Sequence, residues 1–173
     1  SGEFEFEIRG LAMELLGVVY LVCTLGFLLP IVRFGEFGRE FLLLLFFLVF
    51  AGDTFAYFVG TFFGKHRLAK NISPKKSLEG SVGAVLGSGL FAWIWFEGFY
   101  TGPKSSELVL GLWVLVPVVS ILAQLGDLFE SLLKRSGARK DSGQLLPGHG
   151  GFLDRIDGLT FSAPAFYFYI RYV

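Results

Sequence analysis

Apolar residues run along this chain in long blocks, not in strand-like alternation. Blocks at 11–32, 41–63, 81–96, 108–125 and 159–173 are separated by short polar segments. A helix needs about 20 mainly apolar residues to cross a bilayer core, and only helices and closed barrels pair all their backbone groups there. The pattern therefore predicts an all-α, polytopic transmembrane helical bundle with about five spans. The fourth block is expected to continue as a helix to Lys134. The third and fifth are short for a perpendicular crossing, which leaves the ends of their helices open. Small residues around Gly87, in "GAVLGSGL", suit close approach of one helix to another.

Composition agrees: 53% of residues are hydrophobic and only 17% are charged. The formal net charge is zero, so the distribution of charge carries the information. Residues 65–79 hold Lys65, Arg67, Lys70, Lys75 and Lys76 against Glu79. Residues 134–157 hold Lys134, Arg135, Arg139, Lys140 and Arg155. Alternating spans place both segments on one side. The other side holds Lys104, with Arg33 and Arg39 flanking its shorter segment. The positive-inside rule assigns the basic loops 65–79 and 134–157 to the cytoplasm. Residues 1–10 read as a cytoplasmic lead-in or a vector-derived remnant, and 11–173 as one transmembrane catalytic domain. Further N-terminal helices are expected in the intact protein, because five spans make a small bundle in which to hide polar groups. Cys23 lies in an apolar run and reads as a small packing residue. No nucleic-acid partner is expected.

Several carboxylates stand where they are expensive. Asp53 lies in "FAGDTFAYFVG", 12 residues before Lys65, so roughly 18 Å deeper along an unbroken helix. Such residues usually face a polar cavity and have a partner. Asp127 and Glu130 follow the fourth block at i, i+3 spacing, as do Gln124 and Asp127, so a helix puts all three on one side. Asp154 and Asp157 flank Arg155 in "DRIDG" and converge on a helical turn. Converging carboxylates repel unless a cation lies between them. Hard oxygen ligands with few neighbours suit Mg²⁺. No cysteine cluster or paired histidines indicate zinc.

Glycines in "PGHGGF", residues 147–152, let backbone N–H groups turn toward an anion. Lys134, Arg135, Arg139, Lys140 and Arg155 add positive charge, and His149 could donate to a phosphate or transfer a proton. In "NISPKKSLEG", Ser73, Lys75, Lys76 and Ser77 could grip another phosphate. A Walker loop, a dinucleotide fingerprint and a serine-hydrolase elbow are all missing from the sequence. Carboxylates, a glycine turn and two basic loops on one membrane face suit the joining of a soluble polyphosphate to a lipid phosphate, assisted by metal ions.

Residues 131–157 read S-x-L-K-R-x4-K-D-x-G-x2-L-P-x-H-G-G-F-x-D-R-I-D. This resembles the signature of the CDP-diacylglycerol synthases, or phosphatidate cytidylyltransferases. "GDTFAYFVGTFFGKH" and "ISPKKSLEG" resemble upstream motifs of that family in the same order, so the likeness runs from Gly52 to the C-terminus. Family members usually have more N-terminal helices, so the chain looks like the C-terminal catalytic part.

The resemblance implies that CTP and phosphatidate are converted to CDP-diacylglycerol and pyrophosphate at the face of a lipid bilayer, with Mg²⁺. It implies a two-cation centre, for which K⁺ is the candidate second ion. Asp127, Asp154 and Asp157 are then the expected metal ligands. Lys134, Arg135, Lys140, His149 and Arg155 join them as catalytic candidates. Asp53, Lys65, Ser73, Lys75, Lys76, Ser77, Gly150 and Gly151 are the substrate-binding candidates. A bacterial inner-membrane location, an active site facing the cytoplasm and a homodimer are further expectations. Two alternatives remain at this point. A CTP-dependent polyprenol or dolichol kinase would release CDP, and a transporter would use Asp53 in a pathway.

Overall fold

The computed structural model describes residues 2–70, 72–104, 106–136 and 153–172. Six helices and one hairpin follow in order: α1 (Gly2–Leu25), α2 (Leu28–Val32), α3 (Gly38–Phe63), β1 (Arg67–Ala69), β2 (Ser73–Ser77), α4 (Leu78–Gly98), α5 (Ser106–Ser136) and α6 (Leu153–Tyr172). Among the described residues, four stretches are long and apolar enough to cross a membrane: Gly10–Val32, Gly38–Phe63, Leu78–Gly98 and Ser106–Arg135. The expected fifth span corresponds to α6, which is not one of these four. Its helix begins at Leu153, not 159, and so takes in the charged DRID turn. The expected third block likewise lengthens at both ends.

The first apolar block is one candidate span but two helices. Pro30 has no N–H to donate and its ring crowds the carbonyl four residues earlier, at Gly26. The chain breaks there, between α1 and α2. α1 packs chiefly against α6 and leaves Leu11, Leu15, Val18 and Val22 exposed. Cys23, expected to be a packing residue, is exposed on the same helix, because α1 meets the bundle along one side only.

α3 and α4 form the most extensive helix pair, and α5 and α6 the next. Leu44, Leu45 and Leu48 of α3, Val119 of α5, and Leu159, Ala163 and Phe166 of α6 make the fully buried centre. Close approach of α3 and α4 depends on small residues. A Cβ added to Gly87 would come 2.6 Å from that of Phe55. Ser88, also buried, donates to the Leu48 carbonyl at 2.7 Å.

Segment 65–79, read from the sequence as a loop, contains the antiparallel hairpin β1–β2, with Arg67 opposite Ser77 and Ala69 opposite Ser73. Ser77 then caps α4, its hydroxyl accepting from the Gly80 N–H at 3.1 Å; such a cap satisfies one of the free donors of a helix start. Glu79 ties the hairpin down. It accepts from the Lys65 N–H at 3.1 Å and lies 2.6 Å from His66 Nδ1. The hairpin is thereby held at the end of the bundle where α3 stops and α4 begins.

Candidate functional site

Three carboxylates meet where α5 passes α6. Asp127 and Glu130 project from neighbouring turns of α5, and Asp157 from the first turns of α6. One oxygen of each lies within 4.8 Å of the others. Glu130 keeps 2% of its surface exposed and Asp157 8%, so neither is a solvated helix-end charge. The helices can close this far because Gly126 faces α6. A Cβ there would lie 3.0 Å from Thr160 Oγ1 and 3.3 Å from the Asp157 carbonyl carbon. Asp157 is further fixed by its own turn. Its Oδ1 accepts from the Gly158 N–H at 2.7 Å, and its carbonyl accepts from the Thr160 hydroxyl at 2.6 Å. Tyr20 of α1 donates to that hydroxyl at 2.5 Å.

Two lysines meet the acids. Lys134 lies one turn beyond Glu130 on α5, its Nζ 2.7 Å from the carboxylate. Lys76, from β2, pairs with Asp127. The second pair ties the hairpin to α5, so Lys76 and Lys134, one from each basic segment, reach the same end of the bundle. Three carboxylates this close cannot all stay ionised without positive charge among them. Their oxygen donors and spacing could also hold a metal ion.

A cavity of about 660 Å³ opens beside the cluster. Its floor is Asp127, Glu130 and Asp157. One wall is α3, with Asp53, Tyr57 and Thr61, and the other comprises the hairpin and α4, with Arg67, Lys75, Lys76, Ser77 and Ser81. Gln124 and Lys134 of α5 also line it. Ser81 donates to Gln124 Oε1, and Gln124 donates in turn to the Ser120 carbonyl at 3.2 Å. That pair joins α4 to α5 at the cavity's inner wall.

Of the residues singled out in the sequence, Asp53, Lys75, Lys76, Ser77, Asp127, Lys134 and Asp157 border one cavity. Lys65 and Ser73 are not among its lining residues. Lys65 contributes its backbone N–H to Glu79, and Ser73 sits in the hairpin ladder. Arg135 lies in the last turn of α5, and is also not a lining residue. Lys140, His149, Gly150 and Gly151 lie outside the described residues, as do the side chains of Asp154 and Arg155. Glu130 was not singled out as a site residue, although the Gln124–Asp127–Glu130 spacing carried the signal. Arg67, Tyr57, Ser81 and the Tyr20–Thr160 contact had no comparable signal.

The model of the family described as "Cytidylyltransferase family" matches residues 2–173. The phosphatidate cytidylyltransferase of Thermotoga maritima is 41% identical over 155 residues, covering 88% of this chain and 56% of that protein. The phosphatidate cytidylyltransferase of Haemophilus influenzae is 44% identical over 133 residues, covering 76% and 46%. That of Staphylococcus aureus is 38% identical over 164 residues, covering 92% and 58%. The chain thus spans about half the length of these curated relatives. With a family match along almost its whole length, above a cavity of acids and lysines, this chain belongs to the cytidylyltransferase family.

Proposed function

We propose that the intact protein makes CDP-diacylglycerol and pyrophosphate from CTP and phosphatidate. An oxygen of the lipid phosphate attacks the α-phosphorus of CTP. The new P–O bond forms as the bond from that phosphorus to the α,β-bridging oxygen breaks, and pyrophosphate leaves. The attacking oxygen is already anionic near neutral pH, so the chain need not supply a strong base. The observation that carries this reading is the convergence of Asp127, Glu130 and Asp157 with Lys76 and Lys134 at one cavity.

The residues divide the work. The three carboxylates form a hard-oxygen set suited to Mg²⁺, and Asp154 is the further candidate ligand. Bound there, Mg²⁺ would neutralise phosphate charge and orient the displacement; a second cation, with K⁺ as candidate, fits the same reading. Lys75, Lys76, Arg67 and Lys134 present cationic donors to the polyphosphate. Arg135, Lys140, His149 and Arg155, with the glycine pair Gly150 and Gly151, complete the proposed phosphate contacts; Lys65 and Ser73 contribute from the hairpin segment. Asp53 and Tyr57 line the cavity from α3 and are the candidates for contact with the lipid substrate. In this reading the cavity faces the cytoplasm of a bacterial inner membrane, since Arg67, Lys75, Lys76 and Lys134, from both basic segments, line it.

The test is a product assay on the full-length protein with CTP, phosphatidate and Mg²⁺. CDP-diacylglycerol and pyrophosphate in equal amounts are expected. Release of CDP with a phosphorylated lipid would instead indicate γ-phosphate transfer and overturn the reading.

A further inference from the structure

A second hollow, of about 440 Å³, lies toward the far end of α6. Asp157 and Arg171 are 14 residues apart on that helix, so the hollow lies roughly 21 Å from the acidic cluster along the helix axis. It shares no lining residue with the first cavity. Its shape follows from the break at Pro30. α2 ends at Val32, and the chain reverses through Gly35, whose φ of 56° is readily open to glycine. This turn brings Arg33 and Phe34 against the last turns of α6, where Tyr167 and Arg171 complete the wall.

The two arginines need an explanation. They come from different elements, both are exposed, and both line one hollow. Among the described residues neither forms an ion pair with a carboxylate. They also stand at the end away from both basic segments, where the positive-inside tendency works against Lys and Arg. Among the described residues, neither topology nor ion pairing accounts for them. A guanidinium presents a planar fork of donors that matches phosphate oxygens. Leu29, Pro30 and Phe34 add an apolar wall beside the two forks, and Tyr167 suits a membrane interface.

We infer that this hollow is a phosphate-binding site in which Arg33 and Arg171 both donate to one phosphate group. That phosphate belongs either to the head group of an anionic phospholipid at that face of the bilayer or to the free anion. The inference is independent of the proposed reaction.

Native mass spectrometry of the detergent-purified, full-length protein tests it, with phosphatidylglycerol, diacylglycerol and inorganic phosphate as probes. The wild type is expected to retain phosphatidylglycerol over diacylglycerol, and R33Q/R171Q to retain it roughly tenfold less. R39Q removes an arginine from the start of α3, outside the hollow, and is expected to bind as wild type. Phosphatidylglycerol that inorganic phosphate does not displace assigns the lipid. Inorganic phosphate held with the same arginine dependence assigns the free anion. The site is overturned if R33Q/R171Q and wild type hold both phosphatidylglycerol and inorganic phosphate equally, if R39Q causes an equal loss, or if diacylglycerol is retained with the same arginine dependence. Should R33Q/R171Q fail to fold, R33K/R171K takes its place. Several-fold weaker retention is then expected, because lysine lacks the fork, and wild-type retention overturns the site.

Discussion

The α3–α4 seam and the α5–α6 seam close by the same device and hold opposite contents. Each depends on a glycine where a Cβ would strike the facing helix: Gly87 against Phe55 in the first, Gly126 against Thr160 and Asp157 in the second. At the first seam the buried polar group is Ser88, whose hydroxyl finds the Leu48 carbonyl. At the second, Glu130 and Asp157 are nearly as buried, yet are carboxylates. Dehydrating a carboxylate costs several kcal/mol even after the protein relaxes, whereas a hydrogen-bonded hydroxyl is close to neutral. Close packing therefore does not mark a site in this bundle. What distinguishes the proposed site is buried charge.

The largest expected contrast is chemical. Asp157→Asn keeps the shape of the α5–α6 seam and removes one negative oxygen donor. It is expected to lower CTP turnover by the full-length protein on the order of 10²–10³-fold while the fold persists. Turnover near wild type, measured alongside thermal unfolding in detergent, would remove Asp157 from the proposed site.

Next come the two glycines. Gly87→Ala and Gly126→Ala are each expected to cost about 1–3 kcal/mol of stability through overpacking. Only Gly126→Ala should also lower kcat per folded molecule, because it pushes apart the helices that carry the three carboxylates. Equal kcat in the two variants would show that the seams are functionally alike.

Tyr20→Phe has a smaller effect. It removes one donor to Thr160 and is expected to cost roughly 1 kcal/mol, with a modest fall in kcat and little change in KM. A fall in stability with kcat unchanged would make Tyr20 purely structural. Ser88→Ala should do least, roughly 0.5 kcal/mol and no change in turnover, since a main-chain carbonyl inside a helix keeps its helical partner.

Much of this was open to reading from residues alone. Unbroken apolar blocks this long, without strand-like alternation, point to helices in a bilayer, because a helix pairs each backbone group within its own segment. The helical period placed Gln124, Asp127 and Glu130 on one side of α5 without knowledge of any neighbour. The length of α6 was misread for the same reason. An apolar-block rule starts a helix where polar residues end, whereas the helix here begins inside "LDRID", where charge can be accepted at the end of the bundle.

Linear order could not say which groups meet across helices. Lys76 and Asp127 are 51 positions apart, yet they pair once the hairpin folds over α5. Glu130 joins Asp157 only because Gly126 admits α6 at close range. Tyr20 reaches Thr160 across 140 positions, and Arg33 shares a hollow with Arg171 only after Pro30 and Gly35 turn the chain back. Local chemistry sets the period and ends of each helix within a few bonds. Contacts between helices depend on which faces can approach, and that was settled when the whole bundle packed.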